Sequence, residues 1–431
     1  MGSTGELLQK LQEGRGDEAL RGLYALDGSD ASLEKGRERA VRVVRAFEAE
    51  FGARPEAALF SGPGRTEIGG NHTDHQHGRV LCGSVDLDML ACAAPNGTDL
   101  VRIQSEGYPA LEVDLRDLKV REEEKNSSPA LVRGVAARLA ELGCRPAGFD
   151  AYVTSTVLSG SGLSSSAAYE ILVATIIDCF FGGGTLDPVE RAKVGQYAEN
   201  VYFGKPCGLM DQMGSSVGGA VAIDFADPAA PVVKKVEYDF TRSGHALCIV
   251  DTGSCHADLT DDYADITREM GAVAAHFGKK FLRDVDEGAF RAALPQLRQE
   301  CGDRAVLRTM HFFEEDCRAE QEAQALEQGD FAAFLALVDQ SGLSSALNLQ
   351  NTWSAGGPQQ QAIPVALAVG RELLGGSGAI RVHGGGFAGT IQAFVPNEKL
   401  ETFQQGMEEL LGPGMCHILH IRPQGGCVVL K

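Results

Sequence analysis

The stretch Gly160-Ser161-Gly162-Leu163-Ser164-Ser165-Ser166-Ala167 decides how the 431-residue chain is read. Before it, residues 149–157 alternate apolar and polar side chains as a strand does. After it, Ala167, Ala168, Ile171, Leu172 and Ile176 recur at helical spacing, so the loop joins a strand to a helix. Gly160 and Gly162 let the backbone approach a ligand closely, and Ser164, Ser165 and Ser166 head the helix. Free amides and the positive dipole end of that helix make an anion site. Serine hydroxyls also ligate Mg²⁺, and Glu170 lies one turn further on, so Ser166 and Glu170 are the candidate metal ligands. No Gly-Lys-Ser/Thr follows, which excludes a Walker A loop, and the third glycine of a dinucleotide fingerprint is missing. Taken alone, the same residues also suit a glycine turn with serine N-caps.

Upstream, a turn-rich segment at residues 61–65 leads into a run dense in glycine, histidine and aspartate that ends at Gly78. Arg65, Asn71, His72, Asp74 and His75 are packed into it. Such polar density between apolar strands suits a polyol site, where each hydroxyl needs a fixed donor or acceptor. A metal site using His72, Asp74, His75 and His77 is an alternative, although residues adjacent in one loop rarely converge on one ion. A solvated loop without a role is the third reading.

Around these loops the chain alternates strands and helices. Residues 32–51 read as an amphipathic helix, preceded at 7–26 by a more polar helical stretch broken at Gly14 and Gly16. Strands are expected at 80–94 and 101–105, helices at 129–142 and 188–202, and a strand at 220–225. Asp227-Pro228 is a plausible lobe boundary. The second half continues with a strand at 245–250, long helices from Tyr263 onward, and a strand at 379–382 that runs into His383-Gly384-Gly385-Gly386-Phe387. The expected fold class is α+β with two lobes, residues 1–226 and 227–431.

The formal net charge of −20 argues against non-specific binding to nucleic acid or an anionic membrane surface. It leaves nucleotide binding open, because backbone amides recognise phosphate locally. The N-terminus shows no basic region followed by an apolar run, and no stretch of about 18 uncharged apolar residues occurs. Eleven cysteines without a CxxC pair suit reduced thiols, so a cytoplasmic enzyme or binding protein is expected.

Four ordered motifs between Pro63 and Gly389 together resemble the galactokinases of the GHMP kinase superfamily. The first loop is similar to that family's arginine-containing signature ending in Glu-His-x-Asp-Tyr. Residues 160–167 resemble its Gly-x-Gly-Leu-Ser-Ser-Ser-Ala phosphate loop, with Ser161 and Leu163 inside it. Ala198-Glu199-Asn200 with Cys207-Gly208-Leu209-Met210-Asp211-Gln212 resembles the catalytic segment, and Gly384, Gly385 and Gly386 the third, glycine-rich motif beside the phosphate loop. The resemblance implies ATP-dependent phosphorylation of the anomeric O1 hydroxyl of galactose with Mg²⁺. Asp211 is then the catalytic carboxylate that accepts the O1 proton, and Arg65 orients it and offsets phosphoryl charge. His72 and Asp74 would bind sugar hydroxyls, Gly208 would lie beneath the ring, and Tyr263 would contact the sugar.

The pattern departs from the family at two places: Asn71 stands for the signature glutamate and His75 for the tyrosine. In galactokinases that glutamate faces the O6 end of the sugar. An uncharged Asn71 with His75 and His77 nearby therefore also fits a C6 carboxylate, as in galacturonate, and His-x-Asp-His-Gln looks like the galacturonokinases. Asparagine still bonds a neutral O6 hydroxyl, so galactose stays first. Leu158, where many relatives carry proline, is a further departure. A non-catalytic sugar sensor on a kinase fold is the reading from another class, and retention of Arg65, Asp211, the serines and Glu170 argues against it.

Overall fold

The computed structural model describes residues 1–157, 162–205, 207–254 and 259–431. Its strands are β1 Ala58–Gly69, β2 Arg79–Pro95, β3 Leu100–Ser105, β4 Leu111–Asp114, β5 Phe149–Ser155, β6 Ala220–Asp224 and β7 Val232–Val236, then β8 His245–Asp251, β9 Ala379–Val382, β10 Thr390–Pro396, β11 Cys416–Leu419 and β12 Cys427–Leu430. The period-2 alternation along β1 and β2 builds the first layer. Ala58, Phe60, Ala91 and Ala93 face one side of the sheet, and Leu59, Leu90, Cys92 and Ala94 the other. Among the described residues this sheet has eight strands in the order β12-β1-β2-β5-β3-β4, and β6 pairs with the start of β2 and then with β7. The strands β7 and β12 lie beyond Asp227, so the segments before and after it both contribute to this sheet.

Helices α1 Thr4–Gln12, α2 Asp17–Tyr24 and α3 Asp30–Phe51 cover one face, through Leu7, Leu11, Leu20, Leu33, Val44 and Phe47. On the other face lie α4 Ser128–Glu141, α5 Ser165–Ile177, α6 Pro188–Tyr197 and α7 Met210–Val217. Buried on all sides, α5 has no polar face; Ser165–Gly182 is long and apolar enough to cross a membrane, but 72% of it is buried inside the fold. The expected turn at residues 61–65 is instead the middle of β1, paired with β2. Close packing explains the glycine there: a Cβ on Gly62 would lie 2.4 Å from the Ala168 carbonyl oxygen of α5. Pro63, which lacks a donor, precedes the register shift between Pro63 and Arg65.

The second sheet runs β11-β8-β10-β9, all antiparallel. Around it lie α8 Thr260–His276, α9 Glu287–Ala292, α10 Leu294–Glu300, α11 Asp303–Glu327, α12 Phe331–Ser344, α13 Ala362–Leu374 and α14 Leu400–Leu411. Phe334, Val338, Leu247, Ile249 and Phe394 share a core with Ile68, Leu81 and Leu163, so this cluster spans both sheets. The helix expected over 188–202 is α-helical to Tyr197 and finishes as a π-helical turn at Ala198–Phe203; another π turn, Ser345–Leu349, ends α12. Such turns recur at functional sites, and both carry side chains that reach the loop clusters described next.

Candidate active site

β1 carries Arg65, whose amide donates to the Leu163 carbonyl at 3.1 Å, so the strand and the serine loop are laced together by backbone. The Arg65 guanidinium donates to the Gly162 carbonyl and, through Nε and Nη2, to Asp211 Oδ1 at 2.8 and 2.7 Å. Asp211 lies in the first turn of α7, where the helix dipole favours an anion. The Ser164 hydroxyl donates to its other oxygen at 2.7 Å. Burial alone would raise the Asp211 carboxyl, but the Arg65 charge and the Ser164 hydrogen bond outweigh it and hold it below the ordinary range. Asp211 is thus an ionised carboxylate poised beside the N-terminus of α5.

Ser166 lies in the first turn of α5, and its Oγ is 3.5 Å from Glu199 Oε1. Glu170 is fully buried next to Glu199: it accepts from Gln212 Nε2 at 3.0 Å, and the same nitrogen donates to Glu199 Oε2 at 2.8 Å. Glu170 Oε1 finds no partner, and burial and the neighbouring Glu199 push the carboxyl well up. The carboxylate beside Ser166 is therefore Glu199, which was recognised in the sequence only as part of a motif. No group of three or more histidine, cysteine or acidic side chains fit to hold a metal occurs among the described residues. Mg²⁺ does not need one, because it keeps several waters and takes phosphate oxygens alongside one or two protein donors. Ser166 and Glu199 fit that donor set.

The polar loop after β1 turns at Asp74–Gln76 and packs beneath α11 and the glycine loop that follows β9. His72 bonds the Gly385 carbonyl through Nε2 at 2.8 Å, and its ring lies 6.4 Å from that of Tyr263, centroid to centroid. The Tyr263 hydroxyl donates to the Gly386 carbonyl at 2.7 Å. Asp74 accepts from the His75 amide at 2.8 Å, and burial raises its carboxyl, with His72 offsetting part of the rise and Asp211 adding to it. A Cβ on Gly208 would lie 2.6 Å from Asp74 Oδ2, so only glycine leaves that carboxyl its place. His72, Asp74, Gly208, Tyr263 and Asp211 thus gather at one place.

Two expectations are corrected here. Asn71 is fully buried and does not stand on the wall of an open sugar pocket. Its Nδ2 donates to Glu67 Oε1 at 2.9 Å and to the Gly384 carbonyl at 2.7 Å. Its Oδ1 accepts from Ser345 at 3.2 Å and Asn351 at 2.8 Å. Glu67 in turn pairs with the buried Arg381 at 2.8 Å. Nor does His75 supply positive charge: both ring nitrogens are closed off without a partner, and burial pushes the imidazole down to about 3. A basic O6 pocket built from Asn71 and His75 is absent, so the galacturonate reading loses its support. His77 stacks on Phe281, with ring centroids 3.5 Å apart.

The third glycine motif adjoins the serine loop, since a Cβ on Gly162 would lie 3.1 Å from His383 Nδ1. His383 bridges Thr390 at 2.9 Å and Thr66 at 3.0 Å. Gly160 and Ser161 lie outside the described residues. Leu163 is fully buried, and Ser164 adopts a left-handed φ of 55° at the head of α5, with Ser165 next to it. Sequence reasoning missed Glu67, Arg381, Asn351 and His311, whose Nε2 bonds the Asn71 carbonyl at 2.9 Å; their only signal is burial in the folded chain.

Comparison with known proteins identifies the family. The family model described as the galactokinase galactose-binding signature matches residues 45–95, and that of the GHMP kinases N terminal domain matches residues 130–219. A galactokinase of Streptomyces coelicolor is 30% identical over 363 residues, which is 84% of this chain and 90% of that protein. The solved structure of Lactococcus lactis galactokinase complexed with galactose shares the fold at a TM-score of 0.73 and 23% identity, over 89% of this chain and 98% of that one. Mevalonate kinase of Methanococcus jannaschii shares it more loosely, at a TM-score of 0.61 and 15% identity over 85% and 99% of the two chains. By its match along nine tenths of a galactokinase and by its two-lobed GHMP fold, the chain belongs to the galactokinase family of ATP-dependent sugar kinases.

Proposed function

We propose that the chain transfers the γ-phosphoryl group of ATP to the anomeric O1 hydroxyl of galactose, giving galactose 1-phosphate and ADP. The observation that carries this reading is Asp211, held ionised by Arg65 and Ser164 beside the N-terminus of α5. In the proposed mechanism the serine loop and the α5 dipole receive the phosphates, as helix N-termini do. His72, Asp74 and Tyr263 orient the sugar above Gly208. Asp211 accepts the O1 proton as the oxygen attacks the γ-phosphorus, and Arg65 offsets the negative charge that grows on the transferred group. Positioning and electrostatics suffice, because phosphoryl transfer demands little covalent chemistry of the protein. Mg²⁺, held by Ser166 and Glu199, supplies charge neutralisation on the phosphates when bound.

The test mixes protein, Mg-ATP and a panel of hexoses and follows ADP. Turnover with galactose, and none without sugar, supports the reading. Sugar binding without ADP would instead make the chain a sensor.

A further inference from the structure

Lys205 stands in the loop between the π turn Ala198–Phe203 and α7, with Pro206 after it. Its side chain is 64% exposed, yet Nζ comes within 3.6 Å of Glu199 Oε1. That oxygen is the one Ser166 Oγ approaches at 3.5 Å from the head of α5. The ammonium therefore sits beside the anion-receiving end of the helix, and its charge also reaches Asp211 and Glu170. Among the described residues, the ion pairs of Asp211 and Glu199 are with Arg65 and Lys205, respectively. Arg65 is buried and already committed to Asp211 and the Gly162 carbonyl. Lys205 is the exposed one: a long flexible stem, three donors, and an ion pair with Glu199 at 3.6 Å.

We propose that Lys205 is a phosphate-binding residue for ATP, leaving Glu199 to grip the triphosphate as the nucleotide arrives. The proposal rests on the kinase reading above and extends it to a residue outside the four motif roles. A highly charged triphosphate entering beside Asp211 and Glu199 meets carboxylates, and an exposed cation there lowers that repulsion. A flexible ammonium suits this task as a point charge that follows the phosphate during transfer.

The test uses the full chain with Lys205→Met and Lys205→Arg, titrated calorimetrically with ATP and separately with adenosine, and assayed for kcat/KM with ATP. Because the side chain is mostly exposed, folding is not at stake, and a melting curve checks this. Loss of one charge-assisted contact corresponds to roughly 10- to 100-fold, so Lys205→Met should weaken ATP by that factor and leave adenosine unmoved. Lys205→Arg should restore most of the ATP affinity, and the sugar KM should stay put in both variants. Wild-type ATP affinity in Lys205→Met overturns the proposal, as does equal weakening of ATP and adenosine. A wild-type protein that makes no ADP with any hexose sinks the kinase reading instead, while the titrations still decide on Lys205.

Discussion

Arg65 grips Asp211 at a single oxygen, with Nε and Nη2 at 2.8 and 2.7 Å from Oδ1, and Oδ2 is left to the hydroxyl of Ser164. The clamp fixes the plane of the carboxylate and leaves one oxygen on a partner, a serine hydroxyl, that a substrate hydroxyl can replace. A base held this way is oriented before the sugar arrives.

Asp211→Ala should lower kcat by about 10²- to 10⁴-fold, the usual contribution of a general base. Sugar affinity, measured by calorimetry, should change little, because the interaction belongs to the transition state. Near-normal turnover in this variant would remove Asp211 from the proton transfer.

Arg65→Met should move the acid limb of the pH–rate profile upward. In the native protein burial raises the Asp211 carboxyl, but Arg65 and Ser164 together depress it, so the base is ionised throughout the neutral range and is lost only as pH falls through that depressed value. Removing the cation leaves burial in command, and protonation then begins at higher pH. An acid limb that stays where it was would show that Arg65 does not set the charge state of Asp211.

Asn71→Glu should destabilise the fold rather than retune sugar choice. The new carboxylate would sit against Glu67 and lose the donors now given to Glu67 and the Gly384 carbonyl, at a cost of about 3 kcal/mol or more. Urea denaturation measures this, and the loss should shrink at acid pH as one carboxyl takes a proton. Unchanged stability with a changed sugar preference would return Asn71 to the pocket wall.

His75→Phe should leave the sugar KM unaltered and stability equal to or up to about 1 kcal/mol above the native value, since two buried nitrogens without partners disappear. A sugar KM raised tenfold or more (about 1.4 kcal/mol) would mean that those nitrogens serve a sugar hydroxyl.

Much of this was legible because it is local. The loop from Gly162 to Ser166, the strand before it and the helix after it depend on neighbouring residues, and α5 starts one residue after Ser164 as the serines imply. Arg65 and Asp211 were named from motifs, and the fold brings them together across 146 positions of sequence. What sequence could not show is where the long-range partners fall. Asn71 reads as a sugar ligand until Ser345 and Asn351, from the far half of the chain, are seen to fill its amide oxygen. Glu170 reads as the metal-site carboxylate at helical spacing from Ser166, but the oxygen that reaches Ser166 belongs to Glu199, from the π turn after α6, while Glu170 shares the Gln212 amide nitrogen beside it. The strand at residues 61–65 hid behind Gly62 and Pro63, whose reason is contact with α5 and not a turn.

The most direct measurement is the product formed from galactose and Mg-ATP, identified by ³¹P and ¹³C NMR, in the native protein and in Asp211→Ala side by side. Phosphate on O1 with stoichiometric ADP in the native protein, and at least ~100-fold slower formation of both in the variant, is the expected result. Phosphate on another hydroxyl, or galactose bound with no ADP released, would contradict O1 phosphorylation by Asp211.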